Sequence, residues 1–448
     1  MARVVVVGGG IGGAAAAWFL REHTVTVIDG APQIGGKLRT SDVAGLAVDE
    51  GAEQLLARRP EAVALAREVG LGDDLVHPQT SSASVWARGR LRPLPSRTLL
   101  GVPSSARAVS GVLAPWEVAR VAMDRVLPGT APVEDVSVAA FVGHRVGRAV
   151  VDRLVEPLLG GVYAGRADQL SLFATMPQLP RVDGSLTVAV RQALPVTSEE
   201  PVFATVRGGL QRLVDAVIER SRAQVLTGRL VRRLESTPSG WRVVHGATAD
   251  EQAVEADAVV IAVPAPPAAR LLAECAPAAA SELAAIDYAS VALVTLAYPA
   301  ASMPSLAGSG YLVPALPNRP VKAVTFTSSK WAHLQGDVAV VRASIGRYGD
   351  VEDLQRDDAD LVAAVRRELA DTVGLLGEPV ATRVSRWGGG LPQYTVGHLA
   401  RVQRIRAAVA SVHGLAVCGA AYDGIGVPAC IASARRAVDA LLPAITVD

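Results

Sequence analysis

The chain opens on Val4-Val5-Val6-Val7-Gly8-Gly9-Gly10-Ile11-Gly12-Gly13-Ala14-Ala15-Ala16-Ala17-Trp18-Phe19-Leu20 and runs on to Val25-Thr26-Val27-Ile28-Asp29. Four consecutive β-branched residues read as a buried parallel strand. Gly8, Gly10 and Gly13 follow at GxGxxG spacing, and the small apolar run from Ala14 to Leu20 reads as a helix. A second strand, Val25 to Ile28, ends on Asp29. This strand–turn–helix–strand–acid order is the unit that holds a dinucleotide. Gly8 turns the chain out of the strand, Gly10 leaves room for a pyrophosphate, and Gly13 lets the helix approach the sheet. The free N–H groups and partial positive charge of the helix N-terminus face the phosphates. Asp29 can accept hydrogen bonds from ribose hydroxyls, and an acid there disfavours a 2′-phosphate, which excludes an NADP pocket. Arg3 followed by uncharged residues also has the outline of a secretory signal. The glycines in its middle, the immediate second strand and Asp29 argue against that reading.

Composition bounds the rest. A chain of 448 residues has room for two or three lobes with large cores. The net charge of +1 gives no reason to expect a nucleic-acid partner. The three cysteines, Cys275, Cys418 and Cys430, have no metal-ligand spacing and fit free thiols in a reduced cytoplasm. The seven histidines are scattered, so no metal is expected. The longest uncharged stretch, Tyr288 to Asn318, carries Pro299, Pro304, Pro314 and Pro317, which suit strands and turns and not a membrane span. At most peripheral membrane contact is left open.

Along the chain, the pattern gives an α/β protein. Residues 1–80, 205–263 and 386–448 read as three pieces of one Rossmann-like domain. Residues 81–204 read as an inserted helical cap, with two short strands around Arg88–Leu91 and helices over Trp116–Val126, Val138–Val146 and Arg148–Leu159. Residues 264–385 read as a sheet-rich substrate lobe with one helix near Leu361–Leu369. Gln224 to Val231 reads as one strand. The segment Leu415–Cys418 reads as a strand, followed by a glycine-rich turn and a helix beginning near Val427.

The second motif, Ile34-Gly35-Gly36-Lys37-Leu38-Arg39-Thr40, resembles the GG-[RK]-x-x-[ST] motif of the flavoprotein amine oxidases and their relatives, where it lies along FAD. More specific is Val155-Glu156-Pro157-Leu158-Leu159-Gly160-Gly161-Val162-Tyr163-Ala164-Gly165, continuing to Leu170-Ser171 and Pro177-Gln178-Leu179. With Arg386-Trp387, Leu391-Pro392-Gln393-Tyr394 and the closing Gly419, Tyr422, Gly424, Gly426, Val427 and Cys430, it resembles the oxygen-dependent protoporphyrinogen/coproporphyrinogen oxidases over nearly the whole chain. Within that family, Thr325-Phe326-Thr327-Ser328-Ser329-Lys330-Trp331 with His333 resembles the Gram-positive-type members that act on coproporphyrinogen III.

The resemblance implies FAD against Gly8, Gly9, Gly10, Ile11, Gly12 and Gly13, with Asp29 on its ribose. It implies further cofactor contacts from Gly36, Lys37 and Arg39, from the turn Gly51-Ala52-Glu53-Gln54, from the Val231 backbone, from Trp387, and from Gly419, Ile425, Gly426 and Val427. For the substrate's propionates it implies the cations Arg92, Lys330 and Arg347, with Gly161 and Ser344 on the pocket wall. Ser344 stands where the family often has an aromatic, which implies a wider pocket. No nucleophile elbow is present. The implied chemistry removes six electrons from a porphyrinogen in three two-electron steps, each returned to O2 as H2O2, so positioning outweighs acid–base work. The implied partners are the porphyrinogen and O2, with hand-off of product to an iron-inserting chelatase and a monomeric or weakly dimeric enzyme. Protoporphyrinogen IX as substrate, a flavin amine oxidase or phytoene-type desaturase, and a non-catalytic flavin protein are the competing readings.

Overall fold

The computed structural model describes residues 1–127, 129–179, 183–194 and 201–445. Residues 128, 180–182 and 195–200 of the expected cap, and 446–448 of the closing segment, lie outside the described residues. Arg3–Val7 is the centre of a five-stranded parallel sheet, flanked by Thr24–Ile28 and Ala258–Ile261, with Gln224–Leu226 and Leu415–Val417 at the edges. Three separated stretches of chain therefore build one sheet. The four-valine run explains why both of its faces are covered, because side chains alternate across a strand. Val4 and Val6 bury against Ala14 to Ala17 and the helices Gln211–Ser221 and Val427–Ile445. Val5 and Val7 bury against Ala265–Leu272, Pro277–Ala284 and His398–Ala410.

The second large sheet has seven strands and is mixed. From edge to edge it runs Ala381–Pro392, Tyr288–Pro299, Val338–Ile345, Val321–Thr325, Gly310–Leu312, Ser84–Ala87 and Arg90–Pro93. Gly310–Leu312 pairs with Ser84–Ala87 in parallel; the other pairings are antiparallel. One face packs on the helix Asp358–Val373 through Val294, Tyr311, Val324 and Ala343, each at most 2% exposed. Helices from the 115–194 region form a third core of their own around Val142, Val151, Leu154 and Leu159.

Three expectations change. The hairpin around Arg88–Leu91, counted with the helical cap, is instead the outer edge of the seven-stranded sheet, since its pairing partner lies more than 200 residues ahead. The single strand expected over Gln224–Val231 is two. Gln224–Leu226 closes the parallel sheet, and Val231–Thr237 starts an antiparallel three-stranded sheet with Gly240–Ala247 and Asp250–Ala256. Gly228, at φ +65°, makes the break in a conformation that suits glycine. The 264–385 segment also holds more than one helix. Ala265–Leu272 and Pro277–Ala284 both carry proline in the first turn, where its missing N–H costs nothing.

Candidate active site

Three glycine-rich turns meet at the carboxyl ends of the parallel strands, the place where open α/β sheets bind ligands. At the first, a Cβ on Gly13 would stand 1.8 Å from the Gly8 carbonyl oxygen. No other residue fits there, and the closeness seats the first helix on the sheet. The second turn docks on the first: Gly35 N–H donates to Gly9 O at 2.9 Å, and a Cβ on Gly36 would lie 3.2 Å from Gly10 Cα. The third comes from the closing segment, where Gly419 Cα lies 3.5 Å from the Cβ position of Gly12. Gly10 itself has only Gly36 Cα, at 4.0 Å, near its Cβ position, so its open side faces space. Asp29 ends the second strand with Oδ2 accepting from Gly9 N–H at 2.5 Å and Oδ1 from Ala31 N–H at 2.7 Å. Gly228 N–H donates to Ala31 O and Arg229 N–H to Asp29 O, which brings the stretch ending at Val231 beside Asp29. The glycine cradle, the acid at its rim and a backbone strip beside that acid fit an adenine dinucleotide.

The turn Asp49–Gln54 joins this cradle to the large sheet by charge. Asp49 is buried, accepts from Thr40 Oγ1 (2.7 Å) and Leu210 N–H (2.9 Å), and burial pushes its carboxyl up to about 6. Glu50 is held by Arg39 at 3.1 Å and by Arg383 at 2.5 Å. Glu53 is gripped by Lys330 through one oxygen and by Arg342 through the other at 2.6 Å. Burial alone would raise Glu53, but the two cations more than offset this and hold it at about 2. Arg342 also donates to Gly51 O at 2.8 Å, and Trp387 Nε1 donates to Glu50 O at 2.8 Å. A Cβ on Gly51 would lie 1.9 Å from Lys37 O, so the turn presses directly on the second glycine motif. Lys37 is half-buried, and burial depresses its ammonium.

The sheet face toward this turn is the other wall. Cross-strand partners share a face. The register runs Arg92, Val85, Leu312, Ala323, Ser344, Leu293 and Ser385 in one row. Arg342 is two residues from Ser344, so its reach to Glu53 shows that this face looks at the dinucleotide cradle. Leu312, Ala323, Ser344 and Leu293 occupy central strands yet are each half-exposed, whereas the opposite face is sealed. A space therefore lies over them. The helix Glu156–Tyr163 overhangs it, with the Cβ position of Gly161 3.6 Å from Leu312. Its C-terminal end is tied down by Gln393 Nε2 donating to Tyr163 O (2.9 Å) and Tyr348 N–H donating to Ala164 O (2.6 Å).

The helix that begins at Val427 follows the Gly419–Gly426 turn. Tyr394 stiffens that turn, its hydroxyl donating to Ala420 O (2.6 Å) and accepting from Gly424 N–H (2.8 Å). Ile425, Gly426 and Val427 thus arrive at the same mouth as Gly12 and Gly419.

Several expected roles shift. Lys330 is buried against Glu53, so its ammonium is committed to an ion pair and is not offered to a propionate. Glu53 turns toward the sheet for the same reason, leaving the backbone of Gly51 and Ala52 and the Gln54 end of the turn on the cradle side. Arg92 keeps its place in the row with Ser344, where Nε and Nη1 donate to Ala87 O (3.0 Å) and Gly111 O (2.8 Å) and fasten the hairpin to the cap. Arg347 lies past the end of its strand and lines a separate cavity. Arg342 and Arg383 escape the sequence reading. The signal for Arg342 was an arginine inside the otherwise uncharged strand Val338–Ile345, since a charge there must find a buried partner.

Comparison with known proteins agrees with this geometry. A family model described as flavin containing amine oxidoreductase matches residues 11–442. A Mycobacterium bovis protein named coproporphyrinogen III oxidase is 41% identical over 98% of this chain and 97% of its own. One of the same name from Bacillus subtilis is 33% identical over 98% and 97%. A solved structure from Exiguobacterium sp. 255-15, assigned by name to protoporphyrinogen oxidase, superposes with a TM-score of 0.88 at 30% identity over 98% of both chains.

Proposed function

Since the chain belongs to the flavin-containing amine oxidoreductases, and within them to the coproporphyrinogen III oxidases, we propose that it oxidises coproporphyrinogen III to coproporphyrin III in haem biosynthesis, reducing three O2 to three H2O2. The observation that carries this reading is the half-exposed row Leu312, Ala323, Ser344 and Leu293 opposite the glycine cradle. A flat macrocycle needs a broad wall without bulky side chains, and Ser344 supplies width where an aromatic would take it. The flavin, which we infer to be FAD, would be held by the Gly8–Gly13 turn, Asp29 and the Gly51–Gln54 turn, and when bound would supply two-electron oxidation of the substrate and reoxidation by O2.

The protein's own work is placement. The three glycine turns would hold the pyrophosphate at a helix N-terminus, and Asp29 would orient the ribose. The Glu53–Arg342 and Glu50–Arg383 pairs lock the cofactor-side turn to the substrate sheet, so the two reacting partners keep one separation. The overhanging helix with Gly161 walls one side of the space between them. No acid or base on the chain is required, because the aromaticity of the product drives the loss of the N–H protons. Among the described residues, no helix is long and apolar enough to cross a membrane.

The test is porphyrin fluorescence with peroxide release from the yellow protein, given coproporphyrinogen III and protoporphyrinogen IX in parallel. Faster turnover of the four-propionate substrate is expected, with three peroxides per porphyrin. Faster turnover of the two-propionate substrate would overturn the assignment. For Arg92, on the same row as Ser344, replacement by Ala is expected to raise KM about tenfold and leave kcat within about twofold, the mark of lost ground-state binding. An unchanged KM with a lowered melting temperature would leave Arg92 only its fastening role.

A further inference from the structure

On the far side of the large sheet, away from the glycine cradle, lies a second cavity of about 750 Å³. Its walls are the loop 315–320, the stretch from Arg347 to Arg356, and the outer face of the helix Asp358–Val373. Its wall carries four arginines and four carboxylates, but they are not matched one to one. Each carboxylate in the wall has an arginine: Glu368 holds Arg319 at 2.8 Å, Asp371 reaches the same Arg319 at 3.9 Å, Asp353 pairs with Arg356 at 2.9 Å, and Asp350 takes Arg166 at 2.6 Å. Two arginines of the wall, Arg347 and Arg367, have no ion pair among the described residues. Arg367 is exposed. Arg347 is only 8% exposed, and its one hydrogen bond goes to the neutral Val313 carbonyl at 2.9 Å. The carboxylates of Asp350, Glu156 and Asp353 all favour the Arg347 charge, but none forms an ion pair with it, and Asp350 and Asp353 are bonded to Arg166 and Arg356. Behind Arg347 stands Lys322, 3% exposed and also without a counter-ion among the described residues. Burial and the charge of Arg347 push its ammonium down to about 7.

A buried cation with no direct ion pair is costly, and a guanidinium matches an oxyanion in a two-pronged fork. The volume lies in the range of small-molecule sites and far exceeds a single inorganic ion. We propose that this cavity is a second ligand site, separate from the flavin site, which takes a small organic anion through a carboxylate or phosphate group held between Arg347 and Arg367. The other arginines of the wall are neutralised already, so these two carry the recognition.

Isothermal titration calorimetry of the flavin-loaded protein with citrate and with pyrophosphate, at matched ionic strength, tests this. The loaded cofactor keeps pyrophosphate out of the glycine cradle. Saturable binding of at least one probe is expected, weakened about tenfold or more by Arg367→Glu, a surface change that leaves the core and turnover intact. Arg367→Lys should restore part of it. Arg347→Met is expected to abolish binding, and should it fail to fold, Arg367→Glu still decides. Binding of citrate alone points to a carboxylate ligand and of pyrophosphate alone to a phosphate. No saturable heat with either probe, or undiminished binding in Arg367→Glu, would overturn the proposal.

Discussion

Glu53→Leu is expected to lower stability by about 3–5 kcal/mol, the scale on which breaking a buried ion pair from one side operates. Both oxygens of Glu53 are in use, one on Lys330 and one on Arg342, and these cations are 7% and 5% exposed. Arg342 carries a guanidinium, which stays charged under all folding conditions, so its stranded charge sets the cost. The contact to Gly51 O remains but is neutral. Thermal unfolding followed by circular dichroism checks this. A triple change of Glu53, Lys330 and Arg342 to Leu, Met and Met is expected to recover much of the loss, since an apolar set of similar volume has no charge to strand. A wild-type melt for Glu53→Leu alone would show that water reaches the triad.

The same turn gives a pH signature with two opposed parts. Glu53 is depressed from 4.5 to about 2 in the folded chain, so its contribution is fully present above 4.5 and disappears as pH falls toward 2. Asp49 is raised from 3.8 to about 6, so the folded chain binds the extra proton and is penalised as pH rises from 3.8 through 6. Each pKa unit is ~1.4 kcal/mol, which makes the Asp49 penalty about 3 kcal/mol at neutral pH. From these two groups, stability rises as pH falls from 7 to about 4, where the two limbs balance, and drops below that. Asp49→Asn should flatten the first limb and Glu53→Gln the second.

What could be read in advance follows from how far apart the partners lie. The glycine cradle is local: Gly8, Gly13 and Asp29 sit within one short unit, and each has a steric or hydrogen-bonding reason to be what it is. The ion triad is not local. Glu53 finds Lys330 and Arg342 across 277 and 289 positions, and no periodicity connects a turn with a strand at that distance. Lys330 was therefore visible as a cation but not as half of a pair. The hairpin at Arg88–Leu91 failed similarly: its strands were legible, while the sheet they join was not. Helices Ala265–Leu272 and Pro277–Ala284 were hidden by their prolines, because proline reads as a break unless its first-turn position is known. Ser344 lay between these cases. Alternation along Val338–Ile345 sets its face, but only the register with Ala323 and Leu293 puts that face on the cavity.

The glycines of the first turn differ in what they do, and two substitutions separate them. Gly10→Val is expected to give a folded, colourless protein. Its Cβ position has nothing nearer than Gly36 Cα at 4.0 Å, so the apo fold accepts the side chain, which then fills the space where the pyrophosphate must lie. Flavin retention after purification should fall by more than about a hundredfold, corresponding to a loss of at least ~2.7 kcal/mol in binding, while the apo melting temperature stays near that of wild-type apoprotein. Gly13→Ala is expected to do the reverse kind of damage. Its Cβ would sit 1.8 Å from the Gly8 carbonyl and 3.3 Å from a Val6 methyl, so helix and strand must separate before any cofactor is present. That variant should lose stability in the apo form as well as flavin. A yellow, fully loaded Gly10→Val would remove the cofactor from this turn. A Gly13→Ala apoprotein as stable as wild type would show that the helix can lift off the sheet at little cost.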